Sequence, residues 1–406
     1  MLSKSISSLA KRVSSGLTPL RSNPEFWLAG TIPWLKTEQL GEKFIYSTTE
    51  KISKIALKKT SIKICRPNTL TIAMYGEGKT RGNVSIIKSE MATNQACCNI
   101  ELDPELADFE YVYYFLKTQY NELRSLSSGV RKNLNSEDIK NFVIRLPQEL
   151  KDQRKVAAVL SALDAKIDCN NRINAELEAM AKALYDYWFV QFEFPDANGK
   201  PYKSSGGKMV YNATLKREIP EGWEDKQLTQ IANITMGSSP TGDSLNDIGE
   251  GVEFFQGSTD FGWQYPTVRQ YTTQSVRMAK RGDILLSVRA PVGDFNIAHI
   301  DCCIGRGLAA LNSKNGFDGF LFYVMQYFKQ VFDRRNGEGT TFGSITKDDL
   351  HSLPLVYPPT ELIEDYDKVV SGYNKMVFNR SMENQQLAQL RDWLLPLLMN
   401  GQVTVA

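Results

Sequence analysis

Residues 151–190 read KDQRKVAAVLSALDAKIDCNNRINAELEAMAKALYDYWFV, and residues 361–400 read ELIEDYDKVVSGYNKMVFNRSMENQQLAQLRDWLLPLLMN. In the first stretch Val156, Leu160, Leu163, Ile167, Asn170, Asn174, Leu177, Ala181, Leu184 and Trp188 alternate steps of four and three, the spacing of a coiled-coil seam. About 210 residues further on, the same steps fall on Tyr366, Val370, Tyr373, Val377, Arg380, Asn384, Leu387, Arg391, Leu394 and Leu398. The polar break keeps its place, Asn170 and Asn174 matching Arg380 and Asn384. A period this long exceeds the 20–50 residues of a solenoid unit, so it predicts two whole domains, each ending in a long helix. A helix with one apolar seam cannot bury it alone. Two in one chain pack most simply on each other, and about a pseudo-twofold axis they run antiparallel, with the seam asparagines specifying register.

The flanking segments repeat in the same order. Residues 69–75 and 84–87 read as strands, 109–126 as an amphipathic helix and 129–147 as a loop with a closing segment. In the second copy 283–288 and 296–300 read as strands, 317–334 as a helix and 339–358 as the closing segment. Leu134, Ile139, Phe142 and Pro147 match Ile345, Leu350, Leu353 and Pro358. Each closing segment opens on a capping residue with paired acids, from Ser136 and from Thr346. The expected class is α+β: two similar α/β domains joined by two long antiparallel coiled-coil helices. The expected boundaries are 1–147 for the first domain, 148–192 for the central helix, 193–217 for a Gly/Ser/Pro-rich linker, 218–358 for the second domain and 359–406 for the second helix, with Pro396 kinking or ending its last turn.

The bulk composition, 42% apolar and 23% charged, is that of a soluble globular chain with no apolar run of membrane-spanning length. Cys65, Cys97, Cys98, Cys169, Cys302 and Cys303 form no C-x-x-C pair; with only two histidines a zinc site is not expected, and reduced buried thiols of a cytosolic protein are. The first 24 residues lack acids and are rich in serine, which resembles an organellar transit peptide. The repeat argues instead for part of the fold, because Leu9-Ala10, Gly16 and Pro19 have counterparts in Ile231-Ala232, Gly237 and Pro240. The net charge of +2 conceals an asymmetry: residues 1–147 hold 21 basic and 14 acidic residues, and 218–358 hold 12 and 17.

Three catalytic patterns fail on context. Ala73-x-x-x-x-Gly78-Lys79-Thr80 resembles a phosphate loop, but a turn and a strand follow it where a phosphate loop needs a helix. Pro195-Asp196 with Glu224-x-Lys226 mimics a metal-dependent nuclease, yet flanks the linker. Tyr357-Pro358-Pro359-Thr360 lacks the leading Asn or Asp of an amino-methyltransferase motif. No organised acid/base cluster remains, and neither a catalytic residue nor a bound metal is expected. What remains is recognition: Lys36, Lys79, Arg81, Asn94, Gln95, Arg131 and Lys132 in the first copy, and Gln256, Arg289, Arg306 and Thr341 in the second, lie in glycine-bearing turns. Such donors read base edges or grip phosphates.

Asn170-Asn171-Arg172-Ile173, Leu184-Tyr185-Asp186-Tyr187-Trp188-Phe189, Gly199-Lys200-Pro201-Tyr202 and Ile219-Pro220-Glu221-Gly222-Trp223 stand in an order that resembles the specificity subunits of type I restriction–modification systems. Gly282-Asp283-Ile284-Leu285, Gly305-Arg306-Gly307 and the end of the second helix, from Leu390-Arg391-Asp392 to Asn400-Gly401, are similar to that family as well. The resemblance implies two target recognition domains, each reading half of a bipartite asymmetric site in double-stranded DNA. The antiparallel coiled coil sets the gap and binds two methyltransferase subunits, and motor-nuclease subunits complete the complex. S-adenosylmethionine, ATP and Mg2+ belong to those partners; this chain takes no cofactor, meets no membrane and works in a bacterial or archaeal cytoplasm. The first copy lacks an Ile-Pro-Glu-Gly-Trp segment before Leu9, so its N-terminal edge is expected to be built differently. The rival readings are a coiled-coil scaffold without DNA, or a nuclease or methyltransferase with unrecognised motifs.

Overall fold

The computed structural model describes residues 1–76, 80–126, 133–337 and 344–405, the side chains of 331–337 excepted. Contacts divide the chain into two units: Met1–Cys169 with Asn384–Ala406, and Asn170–Glu383. The division therefore cuts both long helices. Each unit owns one part of each, in place of the serial order of domain, helix, domain, helix.

In the first unit a five-stranded sheet runs Ala10–Ser15, Cys97–Leu102, Leu70–Ala73, Val84–Ile87, Phe44–Ile45, antiparallel except for the last pair. Leu70–Ala73 and Val84–Ile87 are buried at every position, Thr71 and Ser85 included, which is why they read as short, largely apolar runs. A smaller sheet joins Glu50–Ile52, Ile32–Leu35 and Ala92–Thr93. The helical span expected over 109–126 is two helices, Phe109–Thr118 and Tyr120–Ser125. The break falls at Gln119, whose ψ of 14° leaves the helical range. The second unit holds a four-stranded sheet, Ala232–Met236, Leu308–Ser313, Ile284–Ser287, Phe295–Ile297, and a five-stranded one built around Val252–Phe255. The helix Asp318–Gly337 packs on the former through Phe320, Leu321 and Val324.

Both units open alike. Leu2–Ser5 pairs antiparallel with the closing strand Val143–Leu146, and Glu224–Gln227 pairs antiparallel with Pro354–Tyr357. A one-turn helix follows each, Ile6–Leu9 and Leu228–Ile231, and then the first sheet strand. The N-terminal edge is thus not built differently: the missing Ile-Pro-Glu-Gly-Trp segment precedes the shared motif and does not form it. Ile6 and Leu9 are core residues, so the serine-rich start is part of the fold. The helix after the first loop is capped by Asn135, with Asp138 closing the box, one residue earlier than the Ser136 expected; Thr346 and Asp349 form the matching box in the second unit.

The first long helix spans Leu150–Tyr185 and ends in a π-helical turn, Asp186–Val190; the second spans Thr360–Met399 and continues through Pro396 for three residues. No seam position is exposed on either helix. Within the first unit Val156 and Leu160 share a core with Leu394 and Leu398; burying one leucine such as Leu160 stabilises by about 1.5–3 kcal/mol. Within the second unit Leu177 meets Val377, and the Tyr366 hydroxyl donates to the Ala181 carbonyl at 3.1 Å. Higher numbers on one helix meet lower numbers on the other in both units, so the pair is antiparallel. The polar break is buried on the first helix: Asn170 Nδ2 donates to Glu383 at 2.8 Å and Asn174 Nδ2 to Ser381 at 3.3 Å.

Residues 193–217, expected as a linker, are folded. The hairpin Met209–Asn212 with Arg217–Pro220 is closed at its base by Phe194, which stacks on Tyr202 at 4.6 Å and meets Trp223 at 5.0 Å. Glycine and serine there serve tight turns: a Cβ on Gly207 would lie 2.4 Å from the Tyr202 ring.

Candidate nucleic-acid interface

The recognition candidates sit on loops, and main-chain hydrogen bonds decide which loops lie together. In the first unit five such bonds run as a chain. Gly16 N donates to Cys97 O (3.1 Å), Leu17 N to Thr93 O (2.9 Å), Asn94 N to Leu35 O (2.9 Å), Met74 N to Ala96 O (2.8 Å) and Leu134 N to Met74 O (3.1 Å). The second unit makes the same five. Gly237 N donates to Leu308 O (2.9 Å), Ser238 N to Ile304 O (3.0 Å), Gly305 N to Phe255 O (2.8 Å), Val288 N to Gly307 O (2.9 Å) and Ile345 N to Val288 O (2.9 Å). Each unit therefore gathers five loops from separate parts of its sequence onto one edge, and the edge is built twice by one plan.

Close backbone approach at this edge needs glycine. A Cβ on Gly16 would stand 2.3 Å from the Asn94 carbonyl oxygen, and one on Gly237 2.2 Å from the Gly305 carbonyl oxygen. These two glycines are repeat counterparts, and both make the contact that brings the first loop of the edge against the fourth.

The edge collects most of the described candidates. Asn94 and Gln95 follow the strand Ala92–Thr93, and Lys36 follows its parallel neighbour Ile32–Leu35, so all three leave the sheet at one end. Gln95 is exposed and its Oε1 accepts from the Thr18 hydroxyl; Asn94 Oδ1 is spent on the Ala96 amide at 3.2 Å. Lys36 pairs with Glu38 and with Glu50 at 2.9 Å; the hydrogen bonds it donates to these carboxylates raise its pKa above the ordinary lysine value. Glu50 also takes Arg21, whose guanidinium lies 3.8 Å from the Trp27 ring centroid. Lys36 is thus part of a charged network at the edge. Arg81 lies in the turn before Val84–Ile87, its carbonyl accepting from Arg124 at 3.1 Å; a turn and a strand follow the phosphate-loop-like stretch. In the second unit Gln256, Arg289 and Arg306 are all exposed. The Ser239 hydroxyl donates to Gln256 Oε1 at 3.1 Å and accepts from the Arg306 amide at 3.3 Å, while Arg289 bridges to Ser344. Lys79, Arg131, Lys132 and Thr341 lie outside the described residues.

Sequence reasoning missed Thr18 and Ser239, which hold the amides of Gln95 and Gln256. It also missed a buried charge cluster in the first unit. The Lys43 side chain is 10% exposed. Its ammonium donates to the Tyr114 hydroxyl at 2.8 Å and to Ser161 at 3.0 Å, and stands 3.6 Å from Glu110 and 3.8 Å from Asp164. Asp164 also accepts from Tyr114 and from Arg391 at 2.9 Å. Desolvation outweighs the carboxylates and lowers the Lys43 pKa. Six side chains from the sheet edge, the helix Phe109–Thr118 and both long helices meet here, clamping the sheet to the helix pair.

Four of the thiols are held away from chemistry: burial pushes Cys97, Cys98 and Cys302 up to about 12 and Cys65 up to about 11, so they stay protonated. Among the described residues no helix is long and apolar enough to cross a membrane.

Comparison with known proteins gives one consistent result. The type I restriction modification DNA specificity domain family matches residues 3–179 and 220–368, one match on each repeat. The subunit assigned as the MjaX type I restriction specificity subunit of Methanocaldococcus jannaschii is 34% identical over 303 residues, 73% of this chain and 68% of that protein. The type I restriction enzyme MjaIX specificity subunit of the same organism is 26% identical over 97% of this chain and 91% of its own length. A crystal structure of the type I restriction–modification S subunit from M. genitalium shares the fold, with a TM-score of 0.61 at 16% identity, covering 98% of this chain and 95% of that one.

Proposed function

Since the chain belongs to the type I restriction–modification DNA specificity family, we propose that each five-loop edge reads one half of a bipartite, asymmetric site in double-stranded DNA. The observation that carries this reading is the edge itself, made by the same five main-chain bonds in both units. Amide and guanidinium side chains on a stiff edge give base readout, because their donors are placed before binding. Lys36, Arg81, Asn94 and Gln95 serve the first half-site, and Gln256, Arg289 and Arg306 the second. Lys79, Arg131, Lys132 and Thr341 are proposed with them from sequence alone.

In this reading the chain performs no covalent chemistry. Adenine methylation with S-adenosylmethionine, and ATP- and Mg2+-dependent translocation and cleavage, belong to partner subunits in the cytoplasm. The helix pair offers two equivalent places for two like methyltransferase subunits: Met180 and Leu390 occupy matching repeat positions and both are exposed apolar residues, as is Trp393 beside Leu390. Large apolar groups exposed at positions that the repeat matches suit the docking of two like partners. Met180→Asp and Leu390→Asp should each reduce the complex by one methyltransferase copy, read by light scattering after gel filtration. Retention of both copies in both variants would put the docking surface elsewhere.

The function itself is tested by modification-sensitive sequencing of DNA from cells carrying this chain and its methyltransferase. The expected result is one methylated motif with two specified parts separated by unspecified bases. A continuous motif, or no motif that depends on this chain, overturns the reading.

A further inference from the structure

Building on the DNA-reading function proposed above, the geometry points to the folded module at residues 195–217 as a second contact on duplex DNA, one that holds phosphates rather than base edges. Residues 218–358 carry 12 basic and 17 acidic residues, a balance that repels the polyanion they are proposed to read. The 23 residues before them hold four lysines and one arginine against one aspartate. The positive charge that the second unit needs is therefore concentrated in this module.

The module presents its cations from a stiff frame. The Tyr202 hydroxyl donates to the Lys208 carbonyl at 2.9 Å, and the ring is locked between Phe194 and the Gly207 backbone. Asp196 is spent internally: it accepts from the amides of Asn198 (2.7 Å) and Lys200 (2.9 Å), and its pKa is lowered by those bonds. Glu193 is held by Ser204, Lys208 pairs with Glu221 at 2.5 Å and Arg217 lies over the Phe192 ring. Glu218 stands across the hairpin from Tyr211. Lys200, Lys203 and Lys216 remain, all exposed and in no ion pair among the described residues. Lys216 lies at the hairpin turn with φ +52°.

A protein partner of acidic character would meet the same lysines. The module exposes Tyr211 and Val210 on its hairpin, but Lys200 and Lys203 lie on the segment 196–208, which exposes no large apolar side chain, whereas stable protein interfaces anchor on such groups. It exposes instead Ser205, whose hydroxyl is a neutral donor of the kind that phosphate oxygens accept. Each phosphate neutralised releases counterions, which makes the contact visible in the salt dependence of binding.

The test uses the chain assembled with its methyltransferase subunits. The triple variant Lys200→Gln, Lys203→Gln, Lys216→Gln should flatten the slope of log affinity against log salt by about two to three, near 0.9 per lost phosphate contact. Affinity at moderate salt should fall at least tenfold, equally for the cognate and an unrelated duplex, with the methylated sequence unchanged. The corresponding triple arginine variant should restore the slope. An unchanged slope, with the unaltered complex still selecting its site, overturns the inference and leaves the function standing. Release of the methyltransferase subunits from the glutamine variant on gel filtration overturns it in favour of a protein-docking role. Failure of the unaltered complex to select any site removes the DNA reading and this inference together.

Discussion

Exchanging residues 1–147 for the first recognition domain of another specificity subunit should rewrite one half of the methylated sequence completely and leave the other half and its position untouched. The expectation follows from how the two edges are made. All five main-chain bonds of the first edge lie between residues 16 and 134, and all five of the second between residues 237 and 345. No bond of one edge draws on the other, so the two readouts are separable. Base discrimination is steep, at about 1–3 kcal/mol per wrong pair, so the old half-site should fall below detectable methylation. Sequencing of the modified DNA reports both halves at once. A change in both halves would show that the edges are energetically coupled, and no change would place recognition outside them.

Asp164→Ala should be the most damaging single substitution away from either edge. Asp164 is 15% exposed at its side chain and is shared by Arg391, Lys43 and Tyr114. Its removal leaves Lys43 with Glu110 as its remaining carboxylate and takes the acceptor from Tyr114 and one carboxylate from Arg391, in a site with little water. Breaking a buried ion pair by deleting one partner costs about 3–5 kcal/mol, which lowers the melting temperature of a unit this size by roughly 10 °C. Hydrogen exchange should show the loss in the first unit, around Phe109–Thr118 and the N-terminal part of the long helix, with Asn170–Glu383 unaffected. A shift of only a degree or two would mean that the cluster is hydrated and clamps nothing.

The sequence made the helix pair legible because a seam is a local periodic signal, and Val156, Leu160, Val370 and Val377 are buried at its spacing. Val84–Ile87 was legible as a short, largely apolar stretch, which is also a local signal. The edge was half legible. Glycine-bearing turns flagged Asn94, Gln95, Gln256 and Arg306, but the bonds that gather them are main chain to main chain and leave no side-chain signature. Lys43, Glu110, Asp164 and Arg391 were invisible, since residues so far apart form a cluster only after folding. The module at 195–217 was misread because its glycines and serines, the composition of a flexible tether, are there to let Tyr202 and Phe194 stack. Glu383 and Ser381, the partners of the buried asparagines, lie beside the seam positions rather than on them.

The interleaving of the two units also orders events during synthesis. The second unit is one continuous stretch, Asn170–Glu383, whereas the first, begun earlier, needs Asn384–Ala406 before it is complete. Roughly 210 residues must emerge between its two parts, which at about 5–20 residues per second takes about 10–40 s. For that interval Val156 and Leu160 lack Leu398 and Met399, with which they share a core. The domain translated first is the domain finished last, and until the final helix arrives it offers a nascent chain's neighbours an open apolar stripe of the same spacing that closes it.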